Sequence, residues 1–105
     1  MVKYLFDYSG EWIAFKKGKH LFNSNCEWIG WFPYNEEVAV DLNGVYLGTI
    51  YKENRLLNNI HQKYIPYPGY PGYPGYPGYP GYPGFVGYCG YIGGVTDIDK
   101  TRLKL

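Results

Sequence analysis

Apolar and polar positions in the first two-thirds of the chain come in short alternating bursts, with no run at helical spacing. Leu5-Phe6-Asp7-Tyr8-Ser9-Gly10-Glu11-Trp12-Ile13-Ala14-Phe15 returns as Leu21-Phe22-Asn23-Ser24-Asn25-Cys26-Glu27-Trp28-Ile29-Gly30-Trp31. It returns again as Ala39-Val40-Asp41-Leu42-Asn43-Gly44-Val45-Tyr46-Leu47-Gly48-Thr49, and in eroded form as Leu56-Leu57-Asn58-Asn59-Ile60-His61 through Ile65. The Asp or Asn that marks each copy stands at 7, 23, 41 and 58, giving steps of 16, 18 and 17 residues. Such a period marks one supersecondary unit repeated four times.

Each copy reads as two short strands around a tight turn, because its runs are β-branched and aromatic and suit a pleated surface. An Asp or Asn followed three residues later by Gly marks a type I turn. The Gly is expected in the left-handed region, forming a bulge. The turn set is Asp7 with Gly10, Asn23 with Cys26, Asp41 with Gly44, and Asn58 with His61. A non-Gly residue at the last position costs about 1 kcal/mol, so the Cys26 and His61 turns are expected to be looser. Alternation sends Ile13, Ile29 and Leu47 to one face and Trp12, Trp28 and Tyr46 to the other. The small Ala14, Gly30 and Gly48 are expected to leave room for those rings to lie over the strand. The expected fold is all-β: four hairpin repeats of about 17 residues.

The motifs Phe-Asp-x-x-Gly-x-Trp-Ile-Ala (residues 6–14) and Ile-Gly-Trp-Phe (residues 29–32) resemble the four-fold β-flower family, small bacterial domains of unknown function often followed by a Pro-rich tail. The resemblance spans roughly Val2 to Ile60. It implies four similar petals and carries no catalytic residues.

Beyond the repeats the period changes to three. Glycine stands at every third position from Gly69 to Gly93, and an aromatic follows each one up to Tyr91. The remaining position is proline from Pro71 to Pro83, then Val86, Cys89 and Ile92. Polyproline II has three residues per turn, so the stretch reads as a polyproline II-like Gly-x-y tail reaching roughly 75 Å, with a bare glycine edge for close approach and an aromatic edge for stacking. Disorder or loose polyproline II in the isolated chain, and ordered self-association, both fit that composition. The organisation is then a repeat domain over 1–65, a Tyr-Pro-Gly tail over 66–94, and a mixed-charge end over 95–105.

Composition adds exclusions. The net charge is +1 and the acids and bases before residue 66 balance. That removes the basic stripe a nucleic-acid binder needs. Residues 66–94 carry no charge. The apolar stretch Phe85 to Val95 is too short and glycine-rich to span a bilayer. The start of the chain lacks a signal-peptide core, which points to the cytoplasm unless export follows an unusual route. Two cysteines, Cys26 and Cys89, and no ligand spacing imply neither a disulfide framework nor a metal or cofactor site. Cys26 with His20 or His61 lacks every feature that activates a nucleophile. Turn carboxylates and amides are too few per loop for calcium. No acid–base pair or phosphate loop argues for an enzyme.

A head of about 60 residues is marginally stable, and association with other copies would remedy that. The expected function is therefore non-enzymatic: a structural protein whose tail drives homo-oligomers or fibres. Its expected contact residues are Trp12, Trp28, Trp31, Tyr46 and the tail rings Tyr70, Tyr73, Tyr76, Tyr79 and Tyr82. The alternative is a glycan- or protein-binding module with exposed aromatics and the tail as a flexible tether.

Overall fold

The computed structural model describes residues 2–103. Seven strands follow one another around a barrel: β1 Val2–Phe6, β2 Trp12–Lys17, β3 His20–Asn23, β4 Trp28–Trp31, β5 Val38–Asp41, β6 Tyr46–Tyr51 and β7 Arg55–Asn59. Each is antiparallel to the next, and the barrel closes through a parallel contact of Phe6 with Arg55. Parallel closure follows from the odd number, since the first and seventh strands of an up-and-down order run the same way. Phe6 N–H donates to Asn54 O at 2.8 Å across this seam. No α-helix occurs among the described residues, and none is long and apolar enough to cross a membrane.

Three of the four turns are near-copies. Gly10 N–H bonds Asp7 O, Cys26 N–H bonds Asn23 O, and Gly44 N–H bonds Asp41 O, at 3.0 to 3.2 Å. The residue closing each turn is left-handed, with φ of 99° at Gly10, 65° at Cys26 and 81° at Gly44. The Cys26 turn is thus as closed as its siblings rather than looser: Asn23 Oδ1 accepts from the N–H groups of Asn25 and Glu27 at 2.9 and 3.0 Å and holds it. The fourth turn starts one residue later than its spacing suggested. Gln62 N–H bonds Asn59 O at 3.2 Å and His61 N–H bonds Asn59 Oδ1 at 3.0 Å. Asn58 instead points its amide at Thr96 Oγ1, 3.2 Å away.

A bulge follows each of the three turns. Leu5 pairs with Ala14 but Phe6 pairs with Trp12, leaving Ile13 as an extra residue, and Ile29 and Leu47 are the extra residues of the other two. The bulge breaks the alternation. Trp12 therefore points outward while both Ile13 and Ala14 point inward, so the small residues line the barrel instead of lying under a ring. A Cβ on Gly30 would lie 2.2 Å from Val40 O, and one on Gly48 would lie 2.6 Å from Ile98 Cδ1. The inner core holds Leu5, Ile13, Leu21, Ile29, Leu47, Ile50 and Leu56.

Two members of that core, Ile98 and Leu103, come from the last stretch of the chain. Strand β8, Val95–Thr96, pairs antiparallel with β7 through Asn58 and Asn59. It takes the place of a second strand in the fourth copy, which was expected to run on to Ile65; residues 62–65 are irregular. A 3₁₀ turn, Lys100–Leu103, then lies across the turn end of the barrel. The shape is a disc of 34 × 33 × 23 Å.

Candidate functional site: the aromatic belt

Residues 66–94 connect the fourth turn to β8 by circling the disc. The glycines at 69, 72, 75, 78, 81, 84, 87 and 90 have φ between 80° and 94°. Polyproline II requires φ near −75°, so the stretch is not a straight rod. Proline fixes φ near −65° and the next residue lies near +80°, the central pair of a type II turn. A bend at every third residue lets the stretch stay within a molecule only 34 Å across. Glycine is required here for the sign of φ. A Cβ on any glycine from Gly69 to Gly84 would meet nothing within 4 Å, so along the proline part of the belt the glycine edge is not a close-contact edge within the chain.

The order of contacts traces the belt past petals three, two, one and back to four. Tyr67 lies over Gly44, where a Cβ would be 2.6 Å from the ring. Tyr70 and Tyr73 flank Trp28 with centroids 5.5 and 5.7 Å away. Tyr79 and Tyr82 flank Trp12, both at 6.0 Å. Tyr88 stacks on Tyr8 at 6.0 Å. Pairs of this kind contribute about 0.5–1.5 kcal/mol each beyond area burial. Beneath them lies a second apolar cluster on the outer wall, formed by Phe6, Trp12, Phe15, Phe22 and Cys26.

Hydrogen bonding explains where the prolines stop. Proline has no N–H, so the proline positions of the first part of the belt offer only carbonyls and the head supplies the donors to them. Lys17 Nζ reaches Pro77 O at 3.0 Å, Tyr4 Oη reaches Pro80 O at 2.8 Å, and Tyr34 Oη reaches Pro66 O at 3.1 Å. From residue 86 the belt donates as well. Val86 N–H donates to Gly10 O at 3.1 Å, Cys89 N–H to Tyr8 O at 3.2 Å, and Ile92 N–H to Tyr8 Oη at 3.1 Å. These are the three non-proline positions of the period. Gly10 lies so close that a Cβ on it would be 2.2 Å from Gly87 N.

Arg55 is buried and locks the same crossing. Its Nη1 donates to Asp7 O at 3.0 Å and Gly87 O at 2.8 Å. Sequence reasoning missed Arg55, Tyr4 and Tyr8, since nothing local marks a donor whose acceptor lies 32 to 84 residues away. The switch from proline to Val86, Cys89 and Ile92 was the readable signal for donors on the belt.

Of the residues singled out for contact, Trp12 and Trp28 meet the belt. Trp31 is buried with Lys19 Nζ 5.6 Å from its ring centre, and the Tyr46 hydroxyl accepts Asn59 N–H at 3.0 Å. Tyr70, Tyr73, Tyr76, Tyr79 and Tyr82 keep between 57% and 71% of their surface exposed. Cys26 lies under the belt, its Sγ 3.8 Å from Gly78 O. His20 packs edge-on against Trp28 at 5.7 Å, and its buried Nδ1 has no hydrogen-bond partner. Burial, and then the charge of Lys19, push the His20 pKa down. A shallow groove of about 340 Å³ runs between the third turn and Tyr64 and Tyr67.

The chain belongs to the four-fold β-flower family. A family model described as "4-fold beta flower protein" matches residues 2–86. The match runs past the barrel and through most of the belt. No curated protein and no solved structure matches the chain.

Proposed function

We propose that this β-flower protein is a non-enzymatic assembly module whose joining surface is the aromatic edge of the belt. The observation that carries the reading is one row of rings. Every third residue from Tyr64 to Tyr91 is aromatic, and all ten rings of the row are more than half exposed. Contiguous exposed apolar surface of this kind marks interaction sites. The row is also uncharged, so two such rims approach without repulsion. Because Tyr70, Tyr73, Tyr79, Tyr82 and Tyr88 are already held against barrel rings, little conformational freedom is lost when their exposed faces stack.

The alternative of exposed tryptophans binding a glycan, with the tail as a free tether, is less well supported. Trp12 and Trp31 are buried and Trp28 lies under Tyr70 and Tyr73. The test is sedimentation velocity of the full chain, since truncation at Ile65 would also strip Ile98 and Leu103 from the core. Oligomers are expected from tens of micromolar upward. Replacing Tyr64, Phe85 and Tyr91 by Ser should shift them to monomer, none of these rings being stacked on the barrel. A wild-type chain that stays monomeric at several hundred micromolar refutes the proposal.

A further inference from the structure

The turn end of the barrel is built as a socket. Asp7, Asn23 and Asp41 each spend one side-chain oxygen closing their own turn, Asp7 Oδ1 accepting from Gly10 N–H at 3.0 Å and Asp41 Oδ1 from Val45 N–H at 3.0 Å. Each turns its other polar atom to the segment 100–103. Asp7 Oδ2 lies 3.9 Å from Lys100 Nζ, Asn23 Nδ2 donates to Leu103 O at 2.8 Å, and Asp41 Oδ2 accepts from Arg102 Nη2 at 3.0 Å. Ile98 and Leu103 fill the barrel mouth between them, and β8 pairs with the open side of β7. One barrel thus reads a short segment by charge, shape and strand pairing at once.

We propose that this socket is an exchangeable acceptor, filled by Val95–Leu103 of the same chain in the monomer and by Val95–Leu103 of a second copy in assemblies. Three observations select a second copy as the occupant. The negative Glu11, Asp7 and Asp41 match the positive Lys100 and Arg102 of the segment, Glu11 Oε2 lying 2.8 Å from Lys100 Nζ. The connection from the fourth turn to the segment is residues 66–94 and reaches roughly 90 Å when extended at about 3.1 Å per residue, well beyond the 34 Å disc. The segment also supplies a strand that the fourth petal lacks, so an emptied socket leaves β7 with an unpaired edge, a template for another chain. Exchange of an identical element is a low-cost route to dimers.

The inference rests on the assembly reading and gives it a specific joint. Once released from the barrel wall, a connection of this length holds its own segment at an effective concentration of about 1 mM, so roughly a tenth of the sockets opened in this way are filled in trans at about 100 µM protein. The test replaces Cys26 by Gly, as in the sibling turns, and Cys89 by Ser. One chain then carries Asn58→Cys and another Thr96→Cys, positions that face each other across β7 and β8. Oxidation after mixing with each chain at about 100 µM should give disulfide-linked heterodimer for about a tenth of the chains, several-fold above a Gly18→Cys and Thr96→Cys pair. A single chain carrying both cysteines should close on itself, reporting that the variants fold.

A second arm mixes a Glu11→Lys/Asp41→Arg chain with a Lys100→Glu/Arg102→Asp chain, Glu11 being the nearest acid to Lys100. Each is mismatched alone, and reciprocal exchange restores both charge pairs, so a 1:1 dimer should appear only on mixing. A heterodisulfide yield no higher than the control pair overturns the exchange. Oligomers that form without the 58–96 link also overturn it while leaving the tyrosine rim as the joint. Linked dimers that persist after Tyr64, Phe85 and Tyr91 become Ser support exchange and count against the rim.

Discussion

Replacing Leu103 by Ala tests whether the far end of the chain belongs to the core. The Leu103 side chain is fully buried, among Leu5, Ile13, Leu47 and Ile98 in the barrel cluster. Truncating a buried leucine costs about 2.7–5.0 kcal/mol, with the larger values where the site does not collapse. Leu103 lies on a four-residue 3₁₀ turn at the end of the described chain, which relaxes more readily than a barrel strand, so the expected loss is about 3 kcal/mol. Domains of about this size lose about 4–8 °C in Tm per kcal/mol, which puts the fall at about 12 °C or more. Urea unfolding followed by tryptophan fluorescence reads the change directly, because Trp12 and Trp28 lie under the belt that the same segment anchors. The m value should hold, marking a stability change rather than a looser native state. Ile60→Ala, at a residue 57% exposed, is the control and should stay within about 0.5 kcal/mol. A Leu103→Ala chain as stable as the control would mean that the C-terminal segment does not plug the barrel, and the socket would go with it.

Two further outcomes follow from the belt. Val86→Pro removes the N–H that bonds Gly10 O and should cost about 1–3 kcal/mol in urea unfolding, whereas Pro74→Val, which removes only chain stiffness, should cost about 1 kcal/mol or less; equal losses would refute the account of why the prolines stop. His20 has its pKa lowered by burial and by Lys19, so the unfolded chain takes up the proton first: stability is full above the unfolded value of about 6.5 and declines as pH falls from there toward the lowered folded value. Thermal midpoints measured between pH 7.5 and 5.5 should show this decline, His20→Gln should flatten it, and an unchanged slope in that variant would assign the decline elsewhere.

Local chemistry was fully written in the sequence wherever a few neighbouring residues decide the outcome. Asp or Asn followed by a residue able to adopt positive φ dictates the turn, and β-branched runs dictate the strands on either side. The three-residue glycine period was equally legible, but its conformation was not. Glycine takes either sign of φ at similar cost, and only packing against Trp12 and Trp28 favours the bent form over the extended one. The fourth petal shows the same limit. Asn58 and Asn59 are adjacent and chemically identical, so spacing alone picked the wrong one; pairing with Thr96 leaves Asn59 to begin the turn.

By itself, then, the sequence determined an all-β repeat, its near-constant period, the place of its first three turns and the neutral aromatic edge beyond them, since each depends on backbone preferences within about five residues. Tertiary structure alone decided that the edge would encircle the barrel and that the charged end would return to plug it. Those choices rest on hydrogen bonds and apolar contacts between residues as much as 89 positions apart. Contacts at such separation depend on shape once the chain has closed, and no local pattern of residues encodes that shape.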